Sequence, residues 1–392
     1  MYRIIDKFKN KEIRFLNASL RDTANQASIL RFETLLSEDI EEFVTYVEVF
    51  ENSKKVFIGT VVSVEKSMNS DGMFIISVTC ESVLNFLRNR STGVWNFYAP
   101  GSKVESGAFG EIIKNATVDV VLDKLLEHYN YTVENWKKIY KGNITVSGNL
   151  DFVADRTNCL DVLLNNIVKQ LGGYVIIRED NNKFYLDYLK QPNLTGDNIE
   201  LAVNLKDISL QNNANGLYSR VYVFGKDRID IHNVNNGLYY VEDTELLNKI
   251  GVIDYVLKLE NETDRYKLIQ SAKDFLKNQK KKSYSVSINV ADKSYISVSN
   301  NKFELFQTCK VVNQPLNINE NMLIVEMEKD LLQPYLPKLT LNNKTVKQNS
   351  IIINSQREFN NYTVKQISRD NSVIINVDKK LENQRKYLIM GV

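Results

Sequence analysis

The residues from Asn158 to Leu189, NCLDVLLNNIVKQLGGYVIIREDNNKFYLDYL, constrain the fold more than any other part of the chain, because they spell a helix, its stop and a hairpin without a gap. Leu160, Leu163, Leu164, Ile167, Val168 and Leu171 recur at the 3–4 residue spacing that puts them on one helical face. Thr157 or Asn158 is placed to cap the start. Gly172 and Gly173 follow the last apolar position, where a left-handed residue costs glycine least. Tyr174 to Arg178 and Lys183 to Leu189 are then strand-forming runs joined by Glu179, Asp180, Asn181 and Asn182, which tolerate turn geometry. The stretch predicts an amphipathic helix with a β-hairpin behind it.

Around this unit the pattern is mostly β. Glu12 to Glu81 reads as a meander: Tyr46, Glu48 and Phe50 alternate with Val47 and Val49, Val56 to Val64 is nearly all β-former, and Ser70, Asp71 and Gly72 turn the chain into Met73 to Cys80. Short antiparallel strands of this kind close into a barrel or sandwich, which removes exposed edges. Ser82 to Arg90 predicts one short helix, and the weakly periodic Ser91 to Gly107, with Pro100-Gly101, marks a boundary. Thr117 is placed to cap a helix that carries Val118, Val121, Leu122, Leu125, Leu126 and Tyr129 on one face, and Ile144 to Asp155 reads as short strand and loop.

Strands return from Asn204. Ser219 to Phe224 and Tyr239 to Val241 alternate; Asp243 or Thr244 caps a short helix that Gly251 stops; a longer helix runs from about Thr263 to Lys280 with Ile269, Ala272, Phe275 and Leu276 inside; Ser285 to Leu341 holds four or five strands. The fold class expected is therefore α+β and β-rich, with two barrel-like β domains (residues 1–92 and 206–343, the second with one helix) flanking an α+β insert (93–205). Strand-like runs at Ser350 to Ile353, Tyr362 to Ile367 and Val373 to Val377 predict a β-hairpin tail over 344–392. At 392 residues, two to four domains of about 100–200 residues each are expected.

Composition excludes several function classes. No apolar run approaches the roughly 20 residues that span a bilayer, and MYRIIDKFKNKEIRF lacks the apolar core of a secretory signal, so synthesis and retention in cytoplasm are expected. A net charge of +2, from 50 basic and 48 acidic residues, gives no global attraction to nucleic acid. Cys80, Cys159 and Cys309 are odd in number, far apart and set among apolar neighbours, which points to buried free thiols rather than a disulfide framework or a zinc site.

The catalytic inventory is thin. His128 at a helix end and His232 in a polar loop lack metal-binding spacing, and no GxSxG elbow or GxxxxGK[ST] phosphate loop occurs. Cys159 at a helix start could gain thiolate character from the helix dipole, but Leu160 to Leu164 argue for burial. The pairs Glu41-Glu42 and Glu242-Asp243 read as a solvated loop and a helix cap as readily as glycosidase acids. The Glu179 to Asn182 turn lacks the glycine and terminal glutamate of a calcium loop. The lysines Lys277, Lys280, Lys281 and Lys282 suit the negative end of a helix, with a subunit or DNA contact as the alternative. No catalytic, cofactor-binding or metal residue is assigned.

The phrase LGGYVIIREDNNKFYLDYL, followed by NLKDISLQ (Asn204 to Gln211) and GLYSRVYVFG (Gly216 to Gly225), resembles phage tail-tip proteins called tail-associated protein, minor structural protein or prophage tail endopeptidase. YYVEDTELLNKIGVI (Tyr239 to Ile253), LIQSAKDFLKNQ (Leu268 to Gln279), the strand pair SVSINVADKSYI (Ser285 to Ile296) and the run from Phe303 to Asn343 follow in that family's order. The resemblance implies a baseplate-hub-like fold, in which two barrel-like domains per chain are related by pseudo-symmetry and three chains form a ring of six similar units.

It further implies a homotrimer at the virion tail tip that closes the distal tail tube. The implied partners are a distal tail ring protein, the tail tube or tape-measure protein, and receptor-binding or lytic tail components. DNA would pass through the opened ring without sequence-specific binding, after assembly in the host bacterial cytoplasm. In longer relatives a separate C-terminal domain carries fibre or lytic activity, and no catalytic residue is carried over to this chain, so a non-enzymatic structural role is expected. The competing reading is a tail-associated peptidoglycan hydrolase using carboxylates of the α+β insert. A weaker third, a surface carbohydrate-binding protein, rests on 20 tyrosines and the β structure.

Overall fold

In the computed structural model the described residues are 1–36, 38–68, 72–104, 109–212, 218–259, 262–279, 284–297 and 302–342. The tail expected over 344–392, and Lys280, Lys281 and Lys282, lie outside them. The chain divides into two compact units, one formed by Met1–Asn85 together with the described residues from Pro192 onward, the other by Phe86–Gln191.

The first strands are β1 (Tyr2–Asp6), β2 (Lys11–Ile13), β3 (Asn17–Thr23), β4 (Ile29–Leu35), β5 (Tyr46–Glu51), β6 (Lys54–Met68) and β7 (Phe74–Ser82). They are antiparallel neighbours in the order β2-β1-β5-β6-β7-β4-β3. Laid flat, the six spacings between β2 and β3 would separate these strands by about 29 Å. Yet Ile13 and Asn17 are joined by Arg14, Phe15 and Leu16, a link that reaches about 14 Å at most. The array must therefore curl. It does so around one core that includes Ile4, Ile13, Leu20, Leu30, Phe32, Val49, Val61 and Ile76. The alternation read at Val47 and Val49 is the inward half of β5.

The second unit begins within the 3-10 turn Val83–Asn89, which stands where a short helix was expected. Its elements are β8 (Val94–Tyr98), β9 (Glu111–Lys114), α1 (Val118–Asn130), β10 (Ile139–Ile144), β11 (Phe152–Asp155), α2 (Cys159–Asp161), a π-helical segment Val162–Val168, α3 (Lys169–Leu171), β12 (Tyr174–Asp180) and β13 (Lys183–Leu189). They form two three-stranded sheets, β11-β8-β9 and β10-β13-β12. Helix α1 buries the six apolar residues that its periodicity singled out. Thr117 holds the extended N-cap conformation, although its side chain makes no capping bond.

The helix–stop–hairpin unit is present with one change of pitch. Asn158 caps it, its side-chain oxygen accepting from the Asp161 N–H at 2.8 Å. The π-helical middle advances each residue by a smaller angle than an α-helix does, so Val162 is fully buried while Leu164 and Leu171 are only half-buried. Asn181 (φ 49°) and Asn182 (φ 57°) make a two-residue turn, and pairing continues through Asp180↔Lys183, beyond the four-residue link expected. Gly172 ends the helix at φ 73°, ψ −163°, and no atom lies within 4 Å of where a Cβ would sit. Gly172→Ala therefore meets backbone strain alone, and an equilibrium urea melt is expected to show a loss of about 1–2 kcal/mol.

The chain returns to the first unit with β14 (Leu194–Thr195), β15 (Ile199–Glu200) and β16 (Leu205–Asn212). It continues through β17 (Arg220–Phe224), β18 (Tyr240–Glu242), α4 (Thr244–Ile250), β19 (Asp254–Lys258) and α5 (Arg265–Gln279). It finishes with β20 (Tyr284–Val290), β21 (Gln307–Asn313), β22 (Ile318–Asp330) and β23 (Lys338–Asn342). Asp243 caps α4 by accepting from the Glu245 and Leu246 N–H groups, and Gly251 ends it at φ 77°. Two expectations change here. Ser219 to Phe224, read as part of the second array, instead lies in a separate sheet, β18-β17-β19, whose own core includes Val221, Val223, Leu268 and Ala272. Ser285 to Ile296 is one strand rather than a pair, because Asp292 caps a 3-10 turn at Lys293–Tyr295 through the Ser294 N–H.

The remaining late strands form the second array around Val286, Ile288, Val311, Met322, Ile324 and Leu339. Its pairing runs β15-β21-β22-β23-β20-β16, yet β15 and β16 are separated in the chain by only the turn 201–204. The same argument of short link against long pairing order curls this array too. The chain is thus β-rich, with two barrel-like strand arrays and an α+β part between them in sequence. Among the described residues no helix is long and apolar enough to cross a membrane.

Candidate functional site

The two arrays share a strand. β22 pairs with β21 through Ile318–Leu323, with β23 through Leu323–Glu328, and with β3 through Glu326–Asp330, so both arrays belong to one 14-stranded sheet. Thirteen residues allow this, because one flank of the strand serves β21 first and β3 afterwards. Met322, Ile324 and Met327 enter the second core, and Leu331, directly after the strand, enters the first. Backbone bonds close the crossing: Ala24 N–H to Val325 O at 2.8 Å and Leu331 N–H to Ala18 O at 2.9 Å. Arg21 Nε donates to Glu326 Oε1 at 2.9 Å across it.

A polar cluster fastens the same two arrays elsewhere. Glu51, at the end of β5, accepts from Tyr295 Oη at 2.7 Å and is ion-paired with Lys302. Tyr2 on β1 lies 3.2 Å from Tyr295 Oη and accepts from Lys302 Nζ at 3.4 Å. Lys54 and Glu304 add a more exposed pair at 3.5 Å. Burial alone would raise the Glu51 carboxyl, but hydrogen bonds from Lys302 and Tyr295 outweigh it and hold the group below the ordinary glutamate range. Burial likewise pushes the Tyr2 and Tyr295 hydroxyls up, so both stay protonated donors.

Lys329, on β22, is 6% exposed and donates to Phe303 O at 3.2 Å. Its burial, with repulsion from Lys302, lowers the ammonium pKa. Asp292 accepts from the Phe303 N–H at 3.3 Å and from Ser294, which ties the chain entering β21 to the same cluster. Protonated tyrosines, a paired carboxylate and a lysine spent on a carbonyl make a fastening. Chemically the joint offers ion-paired and hydrogen-bonded groups rather than an activated nucleophile.

The candidates singled out from sequence lie elsewhere. Cys80, Cys159 and Cys309 are free and fully buried, and burial pushes the Cys159 thiol up to about 11 and the Cys309 thiol up to about 12. Cys159 and His128 do approach the same segment, with the Cys159 N–H bonded to Arg90 O and the His128 Nε2 2.8 Å from Ser91 O. The thiol is nevertheless a protonated, inaccessible group, and the His128 ring packs edge-on against Trp95 at 5.0 Å. His232 Nδ1 is 2.5 Å from Asp230 Oδ1 and its ring stacks on Tyr239 at 4.8 Å.

Glu42 accepts from the Val64 N–H at 2.9 Å, Glu242 pairs with Arg220 at 3.2 Å, and Asp243 is the helix cap. Glu42, Glu242 and Asp243 thus carry local structural tasks, of which the Asp243 helix cap is the one read from the sequence. Glu179 to Asn182 form the end of β12 and its turn. Among the described residues no group of three histidine, cysteine or acidic residues is gathered to hold a metal. The joint itself had no sequence signal, because Tyr2 and Glu51 meet Tyr295 and Lys302 across 244 to 300 residues of chain.

Residues 193–352 match the family described as prophage endopeptidase tail. In fold the chain is similar to the 43 kDa tail protein of prophage MuSo2 from Shewanella oneidensis, at 14% identity and a TM-score of 0.58, over 87% of this chain and 96% of that one. It is similar to the tail protein from Neisseria meningitidis MC58, with 14% identity, a TM-score of 0.57 and the same coverages of 87% and 96%. A third likeness is to prophage tail protein gp18 from Listeria monocytogenes EGD-e, with 15% identity and a TM-score of 0.51 over 90% of this chain and 96% of that chain. No curated protein sequence matches. The resemblance read from the sequence is therefore met twice over: residues 193–352 carry the sequence pattern of the prophage endopeptidase tail family, and the described chain has the fold of prophage tail proteins.

Proposed function

We propose that this chain is the structural hub of a phage or prophage-derived tail tip. Three copies form a ring that closes the distal tail tube, joins a distal tail ring to adsorption or lytic components, and opens for DNA ejection. The observation that carries the reading is the shared sheet: two curled arrays, each with its own core, are held in register by β22. Two such arrays in each of three chains would present six similar faces, which suits a sixfold partner. The likeness to prophage tail proteins supports the same assignment. The near-neutral charge fits a conduit that lets DNA pass rather than one that holds it.

Reconstitution tests the proposal. The purified chain, mixed with a distal tail ring protein from the same phage type, is expected to co-elute at three chains per sixfold ring. Separate elution at all ratios would sink it. The family description contains the word endopeptidase, and a second reading is a tail-associated peptidoglycan hydrolase. A cell-wall zymogram decides on that activity: a clearing band that disappears when one carboxylate pair is replaced would establish the hydrolase, and no clearing at any loading would remove it.

A further inference from the structure

Strand β19, Asp254–Lys258, is an edge strand whose outer side has no hydrogen-bond partner among the described residues. It pairs in parallel with β17, and the flanking bonds, Ile253 O from Arg220 N–H and Leu259 N–H to Phe224 O, show which residues face that neighbour. They are the odd-numbered ones. Alternation along a strand therefore turns the N–H and C=O groups of Asp254, Val256 and Lys258 outward.

The side chains alternate in the same way. Tyr255 and Leu257 pack toward the core of this sheet, with Tyr255 stacked on Phe275 of α5 at 4.6 Å. Asp254, Val256 and Lys258 lie on the other face and are exposed, Val256 by 49%. Neither Asp254 nor Lys258 has an ion-pair partner among the described residues.

We infer that this edge pairs with β19 of a second copy of the chain, antiparallel and centred on Val256. In that register Val256 meets its equivalent, and each Asp254 lies opposite the Lys258 of the other copy. The three outward residues become hydrogen-bonded pairs, which exchange two bonds each. Charges on an edge strand ordinarily block pairing. Here they select one alignment, since centring the pair on Asp254 or on Lys258 would set like charges face to face. The contact is isologous, as a twofold interface requires, and it joins two three-stranded sheets into one of six strands. Exposed Val252 and Ile253 extend the apolar surface beside it. An interface of five residues per copy is small, so the association is reversible and concentration-dependent.

Sedimentation velocity of the full chain over a wide concentration range tests this. The wild-type mass is expected to double reversibly. Asp254→Lys or Lys258→Asp alone puts like charges opposite each other twice and is expected to weaken the doubling by at least about tenfold. An equimolar mixture of the two variants restores both opposite pairs and is expected to double again. Val256→Pro removes an outward N–H that β17 does not use, so the far-ultraviolet circular dichroism is expected to stay native while doubling is lost. Absence of doubling in the wild type, doubling indifferent to both charge reversals, or failure of the mixture to recover it would each overturn the inference. The charge reversals and their mixture act on the β19 edge alone, so failure of this contact is distinguishable from failure of the trimer.

Discussion

Glu51→Ala is expected to loosen the two strand arrays from each other before it unfolds either. The substitution takes the carboxylate from Lys302 and from the Tyr295 hydroxyl and leaves each with only its longer contact to the Tyr2 hydroxyl, at 3.4 and 3.2 Å, among the described residues, at a joint where the Glu51 side chain is 12% exposed and that of Lys302 25%. Removing one partner of a fully buried pair costs about 3–5 kcal/mol. Lys302 keeps some solvent, so on the order of 2–3 kcal/mol is expected here. Chemical denaturation of the variant should lose its single transition, and hydrogen exchange should rise first in β1, in the end of β5 and around Tyr295. Glu51→Gln preserves shape and the acceptor for Tyr295 and should lose less.

The same group gives an acid dependence of definite sign. Its folded pKa lies below the ordinary value of 4.5, so its contribution is complete above that value and is lost as the pH falls through the lower, folded one. The stability gap between wild type and Glu51→Gln should therefore be constant above about pH 4.5 and shrink below it. A gap that grows on acidification would show that the carboxylate is not the stabilising form.

Gly59→Val is expected to damage the first array directly. Gly59 lies on β6 opposite Ser82, and a Cβ there would sit 2.3 Å from the Glu81 carbonyl oxygen and 2.7 Å from the Phe57 ring. The ring can turn aside, but the carbonyl is part of β7 and cannot move without breaking the ladder. Overpacking a core costs about 1–3 kcal/mol when side chains alone adjust, and a backbone clash sits at or above the top of that range. Loss of soluble expression, or a denaturation midpoint lowered by that amount, is the expected result. A variant that melts with the wild type would mean that β6 and β7 can separate freely at this point.

Local chemistry was readable from the sequence, whereas partnership was not. The helix of 159–171, its stop at Gly172, the hairpin after it and the cap of α4 at Asp243 each rest on contacts within a few residues, so spacing and residue type reveal them. The π-helical middle left no mark because it changes pitch without changing composition. Strand β8 escaped because Trp95, Asn96, Phe97 and Tyr98 are all buried, and a strand covered on both faces loses its alternation. Ser219 to Phe224 was legible as a strand, but nothing in its residues says whether β18 or the second array is its neighbour. The joint depends wholly on such distant partnership: β22 looks like any long strand until its three neighbours are known.

Light scattering of the purified chain across concentrations tests the central claim most directly. The hub reading predicts a stable species of three chain masses, seen without further doubling in the Val256→Pro variant. A variant that remains a single chain at every concentration, and stays single when the distal tail ring protein is added, would contradict the threefold hub.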